Sequence, residues 1–375
     1  MITTENELQA LCRRAREHGR VAIDTEFFWE RTFYPQLGVV QIGLAEDDMH
    51  LVDAVALPTL PGLGEVLADP GTELILHDAV QDLQILARHT GSLPRRVFDT
   101  RRAAGLAGLS STLSLANLLT DQLAVNLAKA ETRSNWLQRP LSNEQVDYAL
   151  DDIRHLPALC DTLRARATGL GNGDALAEEM QTYDDPAIYA DALPEAVYTR
   201  FKAGRLRPRQ QALLYTLVAW REEQARRRDR PRGHIMQNGD LMAIAQHAPA
   251  DDAALDGVRG LARNTLQRHR QDILDAIAVA DQLPAGTLPD ADAAGDRLSA
   301  EIKKKIQDRQ QAIAKAAQQA GIDPALVFTK ADITALVRFE TGDTTSPPPQ
   351  RLTTGWRAKL LANAAACGPC DVTSG

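Results

Sequence analysis

Segments with strand character are confined to the front of this chain, and that asymmetry narrows the fold more than any other feature. Val21 to Ile23, Gly38 to Leu44, Met49 to Val52, Glu73 to His77 and Val97 to Asp99 are short apolar runs, with Glu46-Asp47-Asp48 at one turn. Helical periodicity fills Glu5 to His18, Pro61 to Leu67, Val80 to Thr90, Ser114 to Leu119, Ser142 to Asp152 and Ile153 to Arg166. From Tyr198 onward no strand signal remains. Helices are predicted over Arg209 to Arg228, Asn238 to His247, Asp251 to Val258 and Arg263 to Ala280, then Ala300 to Ala320, Lys330 to Phe339 and from Gly355. The order implies an α/β sheet domain followed by all-α modules.

At 375 residues the chain exceeds one small core. The Gly169-Leu170-Gly171-Asn172-Gly173 interruption, with Pro186 and Pro194 beyond it, marks a linker containing a short helix at 171–197. The expected division is 1–170, the linker, a helical module at 198–281, and a second helical module with a tail at 282–375. A net charge of -8 at first argues against a polyanionic substrate, but it hides an asymmetry. From Arg200 to Arg232 eleven Arg and Lys stand against three Asp and Glu, a local excess of eight. No apolar run reaches membrane-spanning length and the first residues lack signal-peptide character, so a soluble, cytoplasmic protein is expected. Cys12 and Cys160 fall in helical patterns as expected buried thiols. Cys367-Gly368-Pro369-Cys370 has redox-pair spacing, but its place in a terminal tail counts against disulfide exchange.

The chemistry begins at the first strand. Asp24 and Glu26 share strand parity and point to one face, with Thr25 pointing the other way. Tyr148 and Asp152 are four apart on one side of a helix. Asp82 stands near the start of the helix after the Glu73 to His77 strand, at the sheet edge. Taken singly, Asp82 reads as a helix cap and Asp152 as a solvent-facing acid. Together, four carboxylates suit a pair of hard divalent cations, Mg2+ or Mn2+, which can hydrolyse a phosphodiester without a protein nucleophile.

The stretch Asp24-Thr-Glu-Phe-Phe-Trp-Glu-Arg-Thr-Phe-Tyr-Pro-Gln-Leu-Gly38, with Gln41, resembles the tyrosine-type DEDD 3'-5' exonucleases of the ribonuclease D family. Asp82, rather than Asp78, matches the second motif because a leucine follows it. Tyr148 and Asp152 match the third and leave Asp151 outside the site. Ser134-Asn135-Trp136, Arg139-Pro140-Leu141-Ser142 and Gln145 are similar to the same family. Two positions depart: Ala128 stands where the family has an Asp before the lysine matching Lys129, and Arg101 where a Gln is common. Tyr198-Thr199-Arg200-Phe201-Lys202, Leu206 to Arg221 and Asp240 to Ala248 resemble an HRDC domain, and Ala325 to Val337 with Gly355-Trp356-Arg357 fit a second, degenerate copy.

The resemblance implies a ribonuclease H-like mixed sheet, followed by one or two HRDC-type domains. It also implies a 3'-to-5' exoribonuclease releasing nucleoside 5'-monophosphates and trimming transfer RNA precursors and other structured RNAs. On this reading Asp24 bridges two cations, Glu26 and Asp152 complete the water-activating site, Asp82 helps hold the second ion, and Tyr148 positions the water. Phe27, Phe28 or Trp29 are candidates to stack on terminal bases, against a default of hydrophobic packing. Arg200, Lys202, Arg205, Arg207 and Arg209, extended by Arg226 to Arg228 and by Lys303 to Lys305, are candidate phosphate contacts, each also readable as a solvated helix face. A monomer with no obligate protein partner is implied. A DNA exonuclease and a catalytically silent nucleic-acid adaptor stay open as alternatives; the complete acid set counts against the adaptor.

Overall fold

The computed structural model describes residues 1–127, 134–201, 203–284, 288, 298–343 and 347–366. Lys202, Ala128, Lys129 and Cys367 to Cys370 lie outside them. Two compact units divide the chain: Met1–Phe28, Leu37–Ala190 and Ser299–Gly375 form the first, and Trp29–Gln36 with Asp191–Leu298 form the second.

In the first unit α1 (Glu5–His18) is bounded by local chemistry. Thr4 and Glu7 form a capping box at its start, and Gly19 takes the left-handed conformation, φ 71°, at its end. Its buried face is Leu8, Leu11, Cys12 and Ala15, the spacing of one helical stripe. The strands are β1 (Arg20–Phe28), β2 (Gln36–Ala45), β3 (Asp48–Asp53), β4 (Glu73–Leu76) and β5 (Val97–Asp99). They lie in the order β3-β2-β1-β4-β5, with β4 parallel to both β1 and β5 and β3 antiparallel to β2. The sheet is therefore mixed. β1 runs well beyond the apolar triplet Val21 to Ile23, because its backbone is paired in the sheet even where its side chains are acidic and aromatic.

Helices α2 (Pro61–Ala68) and α3 (Val80–Thr90) alternate with strands, and α4 (Thr100–Leu106) follows β5 directly, where no helix is expected from the sequence. Next come α5 (Leu115–Leu123), α6 (Asn143–Arg154), α7 (Leu156–Gly169) and α8 (Gly173–Gln181). One sheet face packs Val21, Ile23, Val40 and Ile42 with α1, α2 and α3. On the other, Val39 and Leu51 meet Trp136 and Ala149. Gly38 makes this second contact possible, since a Cβ there would lie 2.4 Å from the Trp136 carbonyl oxygen. Arg139 locks the same corner through Asp53, at 2.7 and 2.6 Å, and the Gly38 carbonyl at 2.8 Å.

Residues 299–366 carry α15 (Ala300–Gln319), α16 (Pro324–Val327), α17 (Lys330–Glu340), α18 (Gln350–Thr353) and α19 (Gly355–Ala366), which belong to this unit. Buried polar contacts dock them. Glu179, 1% exposed, accepts from Arg357 at 2.8 Å and from the Trp356 indole at 3.2 Å, and pairs with Arg102 at 3.1 Å. Asp323 accepts from the Ser111 amide at 2.6 Å and its hydroxyl at 2.8 Å.

The second unit is helical: α9 (Pro194–Tyr198), α10 (Pro208–Arg228), α11 (Arg232–Ile235), α12 (Asn238–His247), α13 (Asp252–Leu255) and α14 (Arg263–Gln282). Its core joins Leu214, Leu217 and Val218 of α10 to Leu241 and Ile244 of α12 and Ile273 and Ile277 of α14. The Glu222 carboxylate within it is 0% exposed and held by Arg232 at 2.7 Å. The segment Trp29–Gln36 joins this unit because Asp229 accepts from the Phe33 and Tyr34 amides, at 2.9 and 3.1 Å, and Phe33 packs on Ala225 and Ile235.

Candidate active site

Strand alternation turns Asp24 and Glu26 out of β1 on the α6 side of the sheet, opposite Ile23 and Thr25. Asp152 arrives from the last turn of α6, whose start is set by a Ser142 and Gln145 capping box. One carboxylate oxygen from each of Asp24, Glu26 and Asp152 lies within 4.8 Å of the other two. Asp82 comes from the first turn of α3 and is not part of that tight triple. It reaches the cluster from the other face of β1, where its carboxylate accepts a hydrogen bond from the buried Thr25 hydroxyl.

Electrostatics join all four acids. Desolvation, then the charges of Asp82, Asp152 and Glu26, raise Asp24 well above the ordinary carboxylate range. Desolvation and the neighbouring Asp152 and Asp82 push Glu26 up to about 8. Burial lifts Asp82 to about 7 against the Thr25 hydrogen bond, and Asp152 to about 6 against one from Tyr148. Like charges this close, partly out of water, are costly unless protons or cations neutralise them. The donor set is all oxygen, which fits a hard divalent ion rather than a thiophilic one.

Tyr148 lies one helical turn before Asp152 and packs against Trp136, ring centroids 6.1 Å apart. Burial, reinforced by Asp152 and Glu26, raises its phenol, so the hydroxyl stays protonated at neutral pH.

Two neighbouring acids are engaged elsewhere. Asp78, with φ 59°, is ion-paired to Arg101, which also donates to the Ser111 carbonyl at 2.9 Å; Asp151 pairs with Arg154 at 3.2 Å. Thus the departure Arg101 pins the turn that leads into α3. Among the aromatics, parity puts Phe28 on the face of Asp24, whereas Phe27 packs into the core on the opposite face. Trp29, in the second unit, is 49% exposed and donates its indole N–H to the Phe33 carbonyl at 2.9 Å.

The basic candidates also separate within their own unit. Arg200, Arg205 and Arg207 are exposed. Arg209 is exposed as well, and it pairs with Asp281 at 2.7 Å and donates to the Ala248 carbonyl at 2.6 Å, where α12 ends. Thr25 is the site residue to which no role is given from sequence. Its signal was its place between two acids, on the face from which Asp82 approaches.

A 3'-5' exonuclease family model matches residues 1–167, and an HRDC domain model matches 210–277. The ribonuclease D of Desulfotalea psychrophila is 36% identical over 363 residues, covering 96% of each chain. That of Pseudomonas paraeruginosa is 33% identical over 373 residues, covering 97% of this chain and 95% of the relative. The crystal structure of Escherichia coli RNase D, described as an exoribonuclease involved in structured RNA processing, superposes with a TM-score of 0.84 at 27% identity, over 99% of each chain. Near-complete coverage by relatives of one kind settles the assignment: this chain belongs to the ribonuclease D family of 3'-5' exoribonucleases.

Proposed function

We propose that the chain removes nucleotides one at a time from RNA 3' ends, releasing nucleoside 5'-monophosphates, with transfer RNA precursors and other structured RNAs as substrates. The observation that carries this reading is the triple of carboxylate oxygens within 4.8 Å, drawn from two elements of one unit. Asp24, Glu26, Asp82 and Asp152 would hold two divalent cations, Mg2+ or Mn2+. When bound, such ions supply Lewis acidity to the attacking water and charge neutralisation to the leaving oxygen.

The protein's own groups do the rest. Thr25 fixes the orientation of Asp82, and the α6 capping box fixes the register that carries Tyr148 and Asp152. With its proton retained, Tyr148 orients the attacking water by hydrogen bonding and is no base for it. Of the three aromatic candidates, Phe28 is our choice to stack on a terminal base, because it shares a face with Asp24. Arg200, Lys202, Arg205 and Arg207 supply phosphate contacts that hold RNA without reading its sequence.

We place the nuclease domain at 1–170, the linker at 171–197, the HRDC domain at 198–281 and a second HRDC-like module with the tail at 282–375, whose helices from Ser299 on are packed into the nuclease unit rather than standing free. The protein acts as a cytoplasmic monomer; no helix among the described residues is long and apolar enough to cross a membrane.

The test is a Mg2+ or Mn2+ reaction on matched RNA and DNA strands labelled at either end, with wild-type protein and Asp24→Asn side by side. Mononucleotide release from the RNA 3' end by wild type alone is expected. Release from the 5' end, preference for DNA, or normal turnover by Asp24→Asn would each reject the proposal.

A further inference from the structure

Gln41 sits in the middle of β2 with 0% exposure, and neither its amide oxygen nor its amide nitrogen has a hydrogen-bond partner among the described residues. A buried amide in that condition is rare and requires an explanation. Its neighbours define its face. Val39 packs on Trp136 and Ala149, and a Cβ at Gly43 would lie 3.6 Å from the Cβ of Ala22. Alternation therefore puts Gln41 on the face that carries Asp24 and Glu26.

Register takes it further. β2 lies beside β1 in the sheet, and the chain from Phe28 to Gln36 is too short for a parallel crossover, so the two strands run antiparallel. With Gly43 facing Ala22, a step of two residues back along β2 is a step of two forward along β1, which sets Gln41 opposite Asp24. On its other flank Gln41 pairs with Leu51 of β3, whose side chain offers nothing to bond. A carboxylate has lone pairs for more than one partner.

We propose that Gln41 is a positioning residue for Asp24: its amide N–H donates to the Asp24 carboxylate when that group holds a divalent cation, and so sets which oxygen faces the ion. This rests on the reading of the acid cluster as a cation site. A donor of this kind explains why an amide is kept where an apolar side chain of the same size would pack at lower cost.

The experiment measures Mn2+ affinity of the full chain by electron paramagnetic resonance, with melting temperature in EDTA as the control for folding. Gln41→Met removes the amide at nearly constant volume. It is expected to bind Mn2+ about 10-fold more weakly while melting in EDTA no lower than wild type. Gln41→Asn, which keeps the amide one carbon short, is expected to fall between them. Wild-type affinity in Gln41→Met overturns the proposal, as does wild-type affinity in Gln41→Asn if the methionine variant does not fold. Absence of Mn2+ binding by the wild-type chain would instead overturn the cation reading on which it stands.

Discussion

Replacing Asp24 by Asn is expected to destroy activity and, without divalent ions, to make the protein more stable. Three carboxylate oxygens lie within 4.8 Å of one another. At an effective dielectric constant of about 20, two full charges at that separation repel by about 3.5 kcal/mol. The wild-type cluster escapes part of this by retaining protons, since burial and its neighbours raise Asp24 well above the ordinary carboxylate range and push Glu26 up to about 8. The net gain on neutralising Asp24 at pH 8.5 is therefore about 1–2 kcal/mol, or roughly 1–3 °C in melting temperature for a protein of this size.

The sign with pH follows from linkage. These acids bind protons more tightly folded than unfolded, so the folded protein holds extra protons between the ordinary carboxylate range and about 8, and stability falls as pH rises through that window. Wild-type protein in EDTA should therefore melt lower at pH 8.5 than at pH 6, and the Asn variant should narrow that difference. Divalent ion at ten times its dissociation constant returns about 1.4 kcal/mol to the wild type and little to the variant. Scanning calorimetry of both proteins, in EDTA and in Mg2+, reads all of this. An Asn variant that melts below wild type in EDTA at pH 8.5 would mean instead that the ionised Asp24 is held by net favourable contacts and is not destabilised by its neighbours.

Three further outcomes follow from single contacts. Tyr148→Phe should keep its fold and its Mn2+ affinity yet lose about 100-fold in kcat through loss of water positioning; equal single-turnover rates for the pair would remove the hydroxyl from the reaction. Gly38→Ala drives a Cβ to 2.4 Å from the Trp136 carbonyl oxygen, and is expected to cost about 1–3 kcal/mol or more. An unchanged urea midpoint would mean that the Trp136 segment does not pack on β2 in solution. Arg357→Ala leaves the buried Glu179 with Arg102 as its remaining ionic partner, a loss of about 1.5–3 kcal/mol. Limited proteolysis should then cut within 299–366 faster than in wild type, and equal cleavage rates would show that the ion pair does not hold those helices.

The parts of this protein legible in its sequence are those specified over a few residues. Thr4, Glu7 and Gly19 bound α1 because caps act locally, and the four-residue step from Tyr148 to Asp152 places both on one side of α6 whatever surrounds it. Alternation likewise settles that Asp24 and Glu26 share a face. The family motifs point to Asp82 rather than Asp78 as the acid that belongs with them, and the two differ in partner: Asp78 is ion-paired to Arg101, and Asp82 accepts from the Thr25 hydroxyl.

Other features depend on partners far apart in the chain, and no local pattern carries them. β1 extends through Phe28 because its neighbours in the sheet pair its backbone, although its side chains after Ile23 break the apolar run. The last helical segment reads as a free-standing module, yet Glu179, Ser111 and Arg102 in the first part of the chain hold it within the same unit through Arg357, Trp356 and Asp323. Arg209 reads as a phosphate contact from sequence, and only the folded unit shows that it also pairs with Asp281 and bonds the end of α12. Caps, periodicity and parity are short-range properties of the backbone, so residue order alone determines them. Which charges end up buried, paired or crowded together is decided only when distant segments compete for the same partners in the packed state.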